Sequence, residues 1–128
     1  MARILHIEDN ASNRKIVRYL LRDTPHQLLE ATNGQMGLEM ALAEEPDLVL
    51  LDIQLPQLSG YEVTQLLRQR ERFADTPIIA ITSYALSGDD NKALAAGCND
   101  YIAKPYRPQQ LLDCLAKYLP LERAADTP

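Results

Sequence analysis

The sequence has no excess of basic residues, no apolar run long enough to cross a bilayer, and no cysteine pair at redox or metal-site spacing. Each absence removes a class of function. Lys and Arg number 13 against 18 Asp and Glu, a formal net charge of -5, whereas a nucleic-acid-binding domain ordinarily presents a basic face. A spanning helix needs about 20 apolar residues in a row, so no membrane role is expected. Met1-Ala2-Arg3-Ile4 runs straight into core-like sequence without the layout of a secretory leader. Cys98 and Cys114 form no CxxC, and a cytoplasmic protein with reduced thiols is the expectation. No repeat, linker or composition break divides the 128 residues, a length that suits one domain. With 46% hydrophobic and 24% charged residues, the chain can bury a core without disulfide or metal staples.

What is present alternates between short apolar runs and helix-period segments. Arg3 to Ile7 reads as a strand. Ile16, Val17, Leu20 and Leu21 then form a helical stripe, closed by Asp23-Thr24-Pro25. Gln27 to Ala31 is a short second strand, and Asn33-Gly34 turns the chain into a helix marked by Leu38, Ala41 and Leu42. Leu48-Val49-Leu50-Leu51 is a continuous apolar run, as a strand covered on both faces requires. Ser59 and Glu62 stand at capping-box spacing before a third helix with Val63, Leu66 and Leu67 inward. Pro77 to Thr82 repeats the buried-strand pattern. Ser87 and Asp90 repeat the capping-box spacing before an Ala-rich helix, which Gly97 ends in a left-handed cap. Asp100 to Ala103 is a last strand. Leu111, Leu112, Leu115, Tyr118 and Leu119 share one face of a last helix. Residues 120–128 lose the pattern and read as a flexible tail. The order βαβαβαβαβα implies an α/β fold with a parallel sheet and helices on both faces.

In such sheets ligands bind outside the carboxyl ends of the strands. Those ends carry Glu8-Asp9, Asp52, Thr82-Ser83 and Lys104-Pro105. Three carboxylates, a hydroxyl and an ammonium therefore converge on one edge. Crowded carboxylates repel unless a cation neutralises them, and an oxygen-only site suits Mg²⁺. Lys104 adds a point charge fit for a phosphoryl group. Alone, Asp9 would be a helix cap and Asp52 a loop residue. Only together do they indicate a site.

The motifs Ile7-Glu8-Asp9-Asn10, Pro46-Asp47-Leu48-Val49-Leu50-Leu51-Asp52-Ile53-Gln54-Leu55-Pro56, Ser59-Gly60-Tyr61-Glu62-Val63, Ile79-Ala80-Ile81-Thr82-Ser83 and Asp100-Tyr101-Ile102-Ala103-Lys104-Pro105 closely resemble the receiver domains of bacterial two-component response regulators, the CheY-like group. The segment from Gly88-Asp89-Asp90 to Gly97-Cys98 is similar to stand-alone receivers of the DivK type. The resemblance implies a doubly wound (βα)5 flavodoxin-like domain over residues 1–119, with strand order 2-1-3-4-5. It implies Asp52 as phosphoacceptor, and Mg²⁺ held by Glu8, Asp9, Asp52 and the backbone carbonyl of Gln54. It implies Thr82 and Lys104 on the phosphoryl group, Thr82 and Tyr101 as the switch pair, and a cis bond before Pro105. The implied partners are a sensor histidine kinase or histidine phosphotransfer protein and a downstream protein effector, with the chain a monomer or weak dimer. Its role would be signalling rather than turnover of a substrate, apart from promoting its own phosphorylation and dephosphorylation. Leu55 stands where Met is frequent, and Ser83 where Ala or Gly is. Gln54 and Tyr84 occupy positions that in the family tune phosphate lifetime.

Two other readings fail on missing residues. A haloacid-dehalogenase-type phosphatase needs a second Asp two residues past Asp52, where Gln54 stands. A flavin-binding flavodoxin needs a phosphate-cradling loop after the first strand, where Glu8-Asp9 would repel phosphate. A non-phosphorylated adaptor would leave the complete acidic set unexplained. Of the remaining polar residues, His6 is expected to be a satisfied core histidine and His26 a solvated one. Cys98 and Cys114 are expected to be small core residues. Asn13-Arg14 reads equally as a solvated first turn or as a docking surface for the phosphodonor. Lys92, Tyr101, Tyr106 and Tyr118 offer a partner surface, although Tyr118 suits the core as well.

Overall fold

Strand and helix alternate through the chain because apolar runs are followed by helix-forming segments, three of which open on a side-chain cap. The structure, a computed structural model, describes residues 2–82 and 89–119, with 89 and 90 described by their backbone alone. Its elements are β1 (Arg3–Ile7), α1 (Ala11–Leu21), β2 (Gln27–Ala31), α2 (Gly34–Glu44), β3 (Leu48–Asp52), α3 (Gly60–Arg68), a 3-10 turn (Glu71–Phe73), β4 (Ile78–Thr82), α4 (Asp89–Ala96), β5 (Asp100–Ala103) and α5 (Pro108–Tyr118). All neighbouring strands pair in parallel, in the order β2-β1-β3-β4-β5. The doubly wound arrangement and strand order are those the family resemblance implies. The proposed cap at Ser87 and Asp90, Ser83 and Tyr84, and the tail at 120–128 lie outside the described residues or side chains.

Side chains alternate across a strand, so each buried strand feeds two cores. Leu5, Ile7, Val49, Leu51, Ile78 and Ala80 face the layer that includes Ala41 of α2, Val63 and Leu67 of α3 and Ala93 of α4. Ile4, Leu48, Leu50, Ile79, Ile81 and Ile102 face Val17 and Leu21 of α1 and Leu111 and Leu115 of α5. Every residue of β3 and β4 is buried.

Helix starts follow local chemistry. The Asn10 and Asn33 side chains accept from the backbone N–H of Asn13 and Met36, satisfying donors a helix leaves open at its first turn. Ser59 and Glu62 form the reciprocal capping box at α3. The α2/α3 layer sits close to the sheet because glycines face it. A Cβ on Gly37 would lie 2.4 Å from Ile7 Cδ1, and one on Gly60 would lie 2.7 Å from both the Asp52 carbonyl oxygen and Ile53 Cα.

At the far end of the sheet, Arg68 at the end of α3 gathers separate segments. Its guanidinium donates to the carbonyls of Phe73 (2.6 Å), Thr76 (2.7 Å) and Gly97 (2.9 Å) and to Asn99 Oδ1 (2.7 Å). Asn99 Oδ1 also accepts from the Ile78 amide at 2.8 Å, tying the cluster to the start of β4.

Some expectations need correction. Ile16 is 50% exposed and Leu66 38% exposed, so each stripe is narrower than its periodicity suggests. The 3-10 turn was not anticipated, yet it buries Phe73 almost completely. His26 is half-buried, and its Nδ1 accepts from the Ala2 amide at 3.2 Å. Cys98 is buried, whereas Cys114 is only half-buried. Gly97 has φ +120, in the left-handed region as expected.

Candidate functional site

Register fixes the site. Ile7 pairs with Leu51, Asp52 with Ile81, and Thr82 with Ala103. The residues just past β1, at the end of β3, at the end of β4 and just past β5 therefore meet on one edge. The carboxylates of Glu8, Asp9 and Asp52 each place an oxygen within 4.8 Å of the others. Glu8 and Asp52 are buried while Asp9 is exposed.

Glu8 and Asp52 are held by backbone amides and basic side chains. The Gln54 amide donates to Asp52 Oδ1 at 3.0 Å. The Asn10 amide donates to Glu8 Oε2 at 3.3 Å, and Arg14 Nη1 donates to the Glu8 carbonyl at 2.9 Å. Lys104 Nζ lies 3.4 Å from Glu8 Oε1 and 3.8 Å from Asp52 Oδ2. The Lys104–Pro105 peptide is cis, as expected. Burial and the neighbouring Asp52 carboxylate push the Glu8 carboxyl above the usual carboxylate range, against the pull of Lys104.

Thr82 is fully buried at the end of β4, and the Gln54 side-chain amide donates to its Oγ1 at 3.2 Å. Tyr101 pairs with Ala80 in β5 and packs, half-buried, at the margin of the α2/α3/α4 core. Tyr118 is half-buried at the outer end of α5, where its hydroxyl donates to Asn99 O (3.2 Å) and Asp100 Oδ2 (3.1 Å).

Every site residue expected from the sequence thus lies at the carboxyl edge or on the strand beside it. The Gln54–Thr82 side-chain bond was not foreseen, because a contact across 28 positions leaves no trace in local spacing. Arg14 acts here as a brace on the loop after β1, although its place beside Asp9 was visible. His6 departs from expectation: it is buried, but neither ring nitrogen has a hydrogen-bond partner among the described residues.

The donor set is all oxygen, and its negative charges exceed the one ammonium facing them. That composition fits a hard divalent cation such as Mg²⁺, which takes one or two carboxylates and keeps positions for water or phosphate oxygens. A family model described as response regulator receiver domain matches residues 4–116. The chain belongs to the response regulator receiver domain family. The polar-differentiation response regulator DivK of Brucella anthropi is 35% identical over 116 residues, covering 91% of this chain and 94% of that one.

Solved receiver domains agree. One, from a sensor histidine kinase of Pseudomonas aeruginosa, is 35% identical with a TM-score of 0.86, covers 92% of this chain and 97% of its own, and holds a magnesium ion in its active-site cleft. Chemotaxis protein CheY4 of Vibrio cholerae is 27% identical with a TM-score of 0.87, covering 93% and 99%. This receiver domain is therefore of the two-component signalling class and carries an acidic cluster of Glu8, Asp9 and Asp52. Among its described residues, no helix is long and apolar enough to cross a membrane.

Proposed function

We propose that this receiver, over residues 1–119, is a single-domain cytoplasmic response regulator whose phosphoacceptor is Asp52. The observation that carries the reading is the buried Asp52 carboxylate within 4.8 Å of the Glu8 and Asp9 oxygens, with the Lys104 ammonium 3.8 Å away. Glu8, Asp9, Asp52 and the Gln54 backbone carbonyl would hold Mg²⁺. When bound, the cation neutralises the charge that gathers on the transferring phosphoryl oxygens.

The donor is a phosphohistidine of a sensor kinase or histidine phosphotransfer protein. An Asp52 oxygen attacks phosphorus, the P–N bond breaks, and its electron pair leaves with the imidazole. The Gln54 amide, bonded to Asp52 Oδ1, orients the carboxylate so that its other oxygen faces the donor. Lys104 stabilises the phosphoryl oxygens as charge develops there. The acyl phosphate that results adds charge and acceptor oxygens. Those oxygens draw the Thr82 hydroxyl away from Gln54, opening room beside Tyr101. The changed surface of β5 and the adjoining helices is then read by a downstream protein. The protein is no enzyme toward an outside substrate, although it promotes its own phosphorylation and dephosphorylation.

The test is incubation with a small-molecule phosphodonor and Mg²⁺, read by intact mass. One phosphoryl group should be added, and Asp52→Asn should abolish it. Undiminished labelling of Asp52→Asn would remove the assignment. Phosphotransfer profiling against purified phosphorylated kinases and phosphotransfer proteins then identifies the physiological donor.

A further inference from the structure

Gln54 touches two groups of the carboxyl edge at once. Its backbone amide donates to Asp52 Oδ1 at 3.0 Å, and its side-chain amide donates to Thr82 Oγ1 at 3.2 Å. Both ends of this bridge are fixed in the backbone. Ile53 and Leu55, on either side of Gln54, are buried, and the Ile53 amide donates to the Ile81 carbonyl at 3.1 Å. The Lys104 amide donates to the Thr82 carbonyl at 2.7 Å, and the Thr82 side chain is fully buried. The Thr82 hydroxyl can therefore change partner only by rotating from one staggered position about χ1 to another. A β-branched side chain carries its methyl group with that rotation, so in a close-packed interior the move is stepwise rather than gradual. The two partners also differ in strength. The Gln54 bond joins neutral groups, whereas a hydroxyl donating to a phosphoryl oxygen makes a charge-assisted bond roughly twice as strong. Without phosphate the Gln54 bond favours the position seen here; with it, the phosphoryl oxygens win.

We propose that the Gln54 side chain is a latch that holds the Thr82 hydroxyl in its resting position, and that its bond must break before a signal leaves Asp52. Gln54 is then a positioning residue, and it sets how much of the unphosphorylated protein already occupies the signalling state. The inference rests on Asp52 as phosphoacceptor and on Thr82 as the switch residue. A neutral hydrogen bond of ordinary net strength biases such an equilibrium about fivefold. Removing the amide should raise the signalling population by that factor. A ligand that binds only the signalling state tightens equally, because its apparent Kd varies inversely with the competent fraction.

The test uses the full ¹⁵N-labelled chain, titrated with beryllofluoride in the presence of Mg²⁺ and followed by NMR at the Tyr101, Ile102 and Ala103 amides. Gln54→Met keeps the backbone groups and the length of the side chain but has no amide to donate. It should tighten the apparent Kd for beryllofluoride about fivefold. Thr82→Val removes the hydroxyl at similar shape, and in that background Gln54→Met should bring no such gain. No gain in the chain that keeps Thr82, or an equal gain in Thr82→Val, would overturn the latch. No response of the unsubstituted protein to beryllofluoride would remove the Asp52 reading itself, and the latch with it.

Discussion

The two faces of the sheet are built to different tolerances. On the α2/α3 side, glycines bring helix backbone against the sheet: Gly37 leaves room only for Ile7, and Gly60 touches the carbonyl of Asp52. On the α1/α5 side neither helix contains a glycine. There β1 presents Ile4, then His6, with Glu8 just past its end, so the face turns from apolar to polar toward the site and keeps a cleft of about 480 Å³. One face fixes where Asp52 stands. The other leaves space beside the same strands.

The comparison can be broken most severely at Gly60. An added Cβ meets the backbone of the Asp52–Ile53 peptide, and backbone cannot yield as a side-chain tip can. Gly60→Ala should lower stability by about 3 kcal/mol in urea denaturation and slow phosphorylation by shifting Asp52. A wild-type midpoint would show that the layer has slack. Gly37→Ala meets a fully buried Ile7 side chain. Overpacking of about 2 kcal/mol is offset by about 1 from helix propensity, for a net loss near 1 kcal/mol.

On the looser face the sign should reverse. His6→Leu removes two unpaired buried polar atoms at similar volume, so stability should rise by about 1 kcal/mol. A loss of that size by thermal denaturation would mean that the imidazole is paired in solution. The smallest effect is expected at the α1 surface, where Arg18 grips Glu30 through two bonds of 2.8 and 2.9 Å. These bonds hold the Glu30 carboxyl below its usual range. The pair therefore contributes fully above the ordinary Glu value, and its contribution is lost as pH falls through the depressed one. Because Arg18 is largely exposed, solvent screens the pair and Arg18→Ala should lower stability only slightly at pH 7. The variant and wild type should converge once the pH falls below that depressed value.

Strands and site were legible for the same reason: short, fully buried apolar runs announce their own ends, and in a parallel sheet those ends share an edge. Glu8, Asp9, Asp52, Thr82 and Lys104 follow from that rule alone. Phe73 was missed because a single aromatic in a polar stretch has no period. The unpaired state of His6, the Gln54–Thr82 bond and the braces made by Arg14 and Arg68 were missed because they depend on which distant groups meet. Ile16 and Leu66 were assigned inward because periodicity fixes a face but not its width.

The Arg68 cluster gives the molecule a fulcrum. By gripping Gly97 and Asn99 from the end of α3, it pins the outgoing end of α4 to the start of β4. An eight-residue helix is about 12 Å long. With one end held, a tilt of about 10° moves the other by about 2 Å and the held end hardly at all. A small displacement at the carboxyl edge of the sheet would then become a swing of one helix, while the opposite edge stayed still.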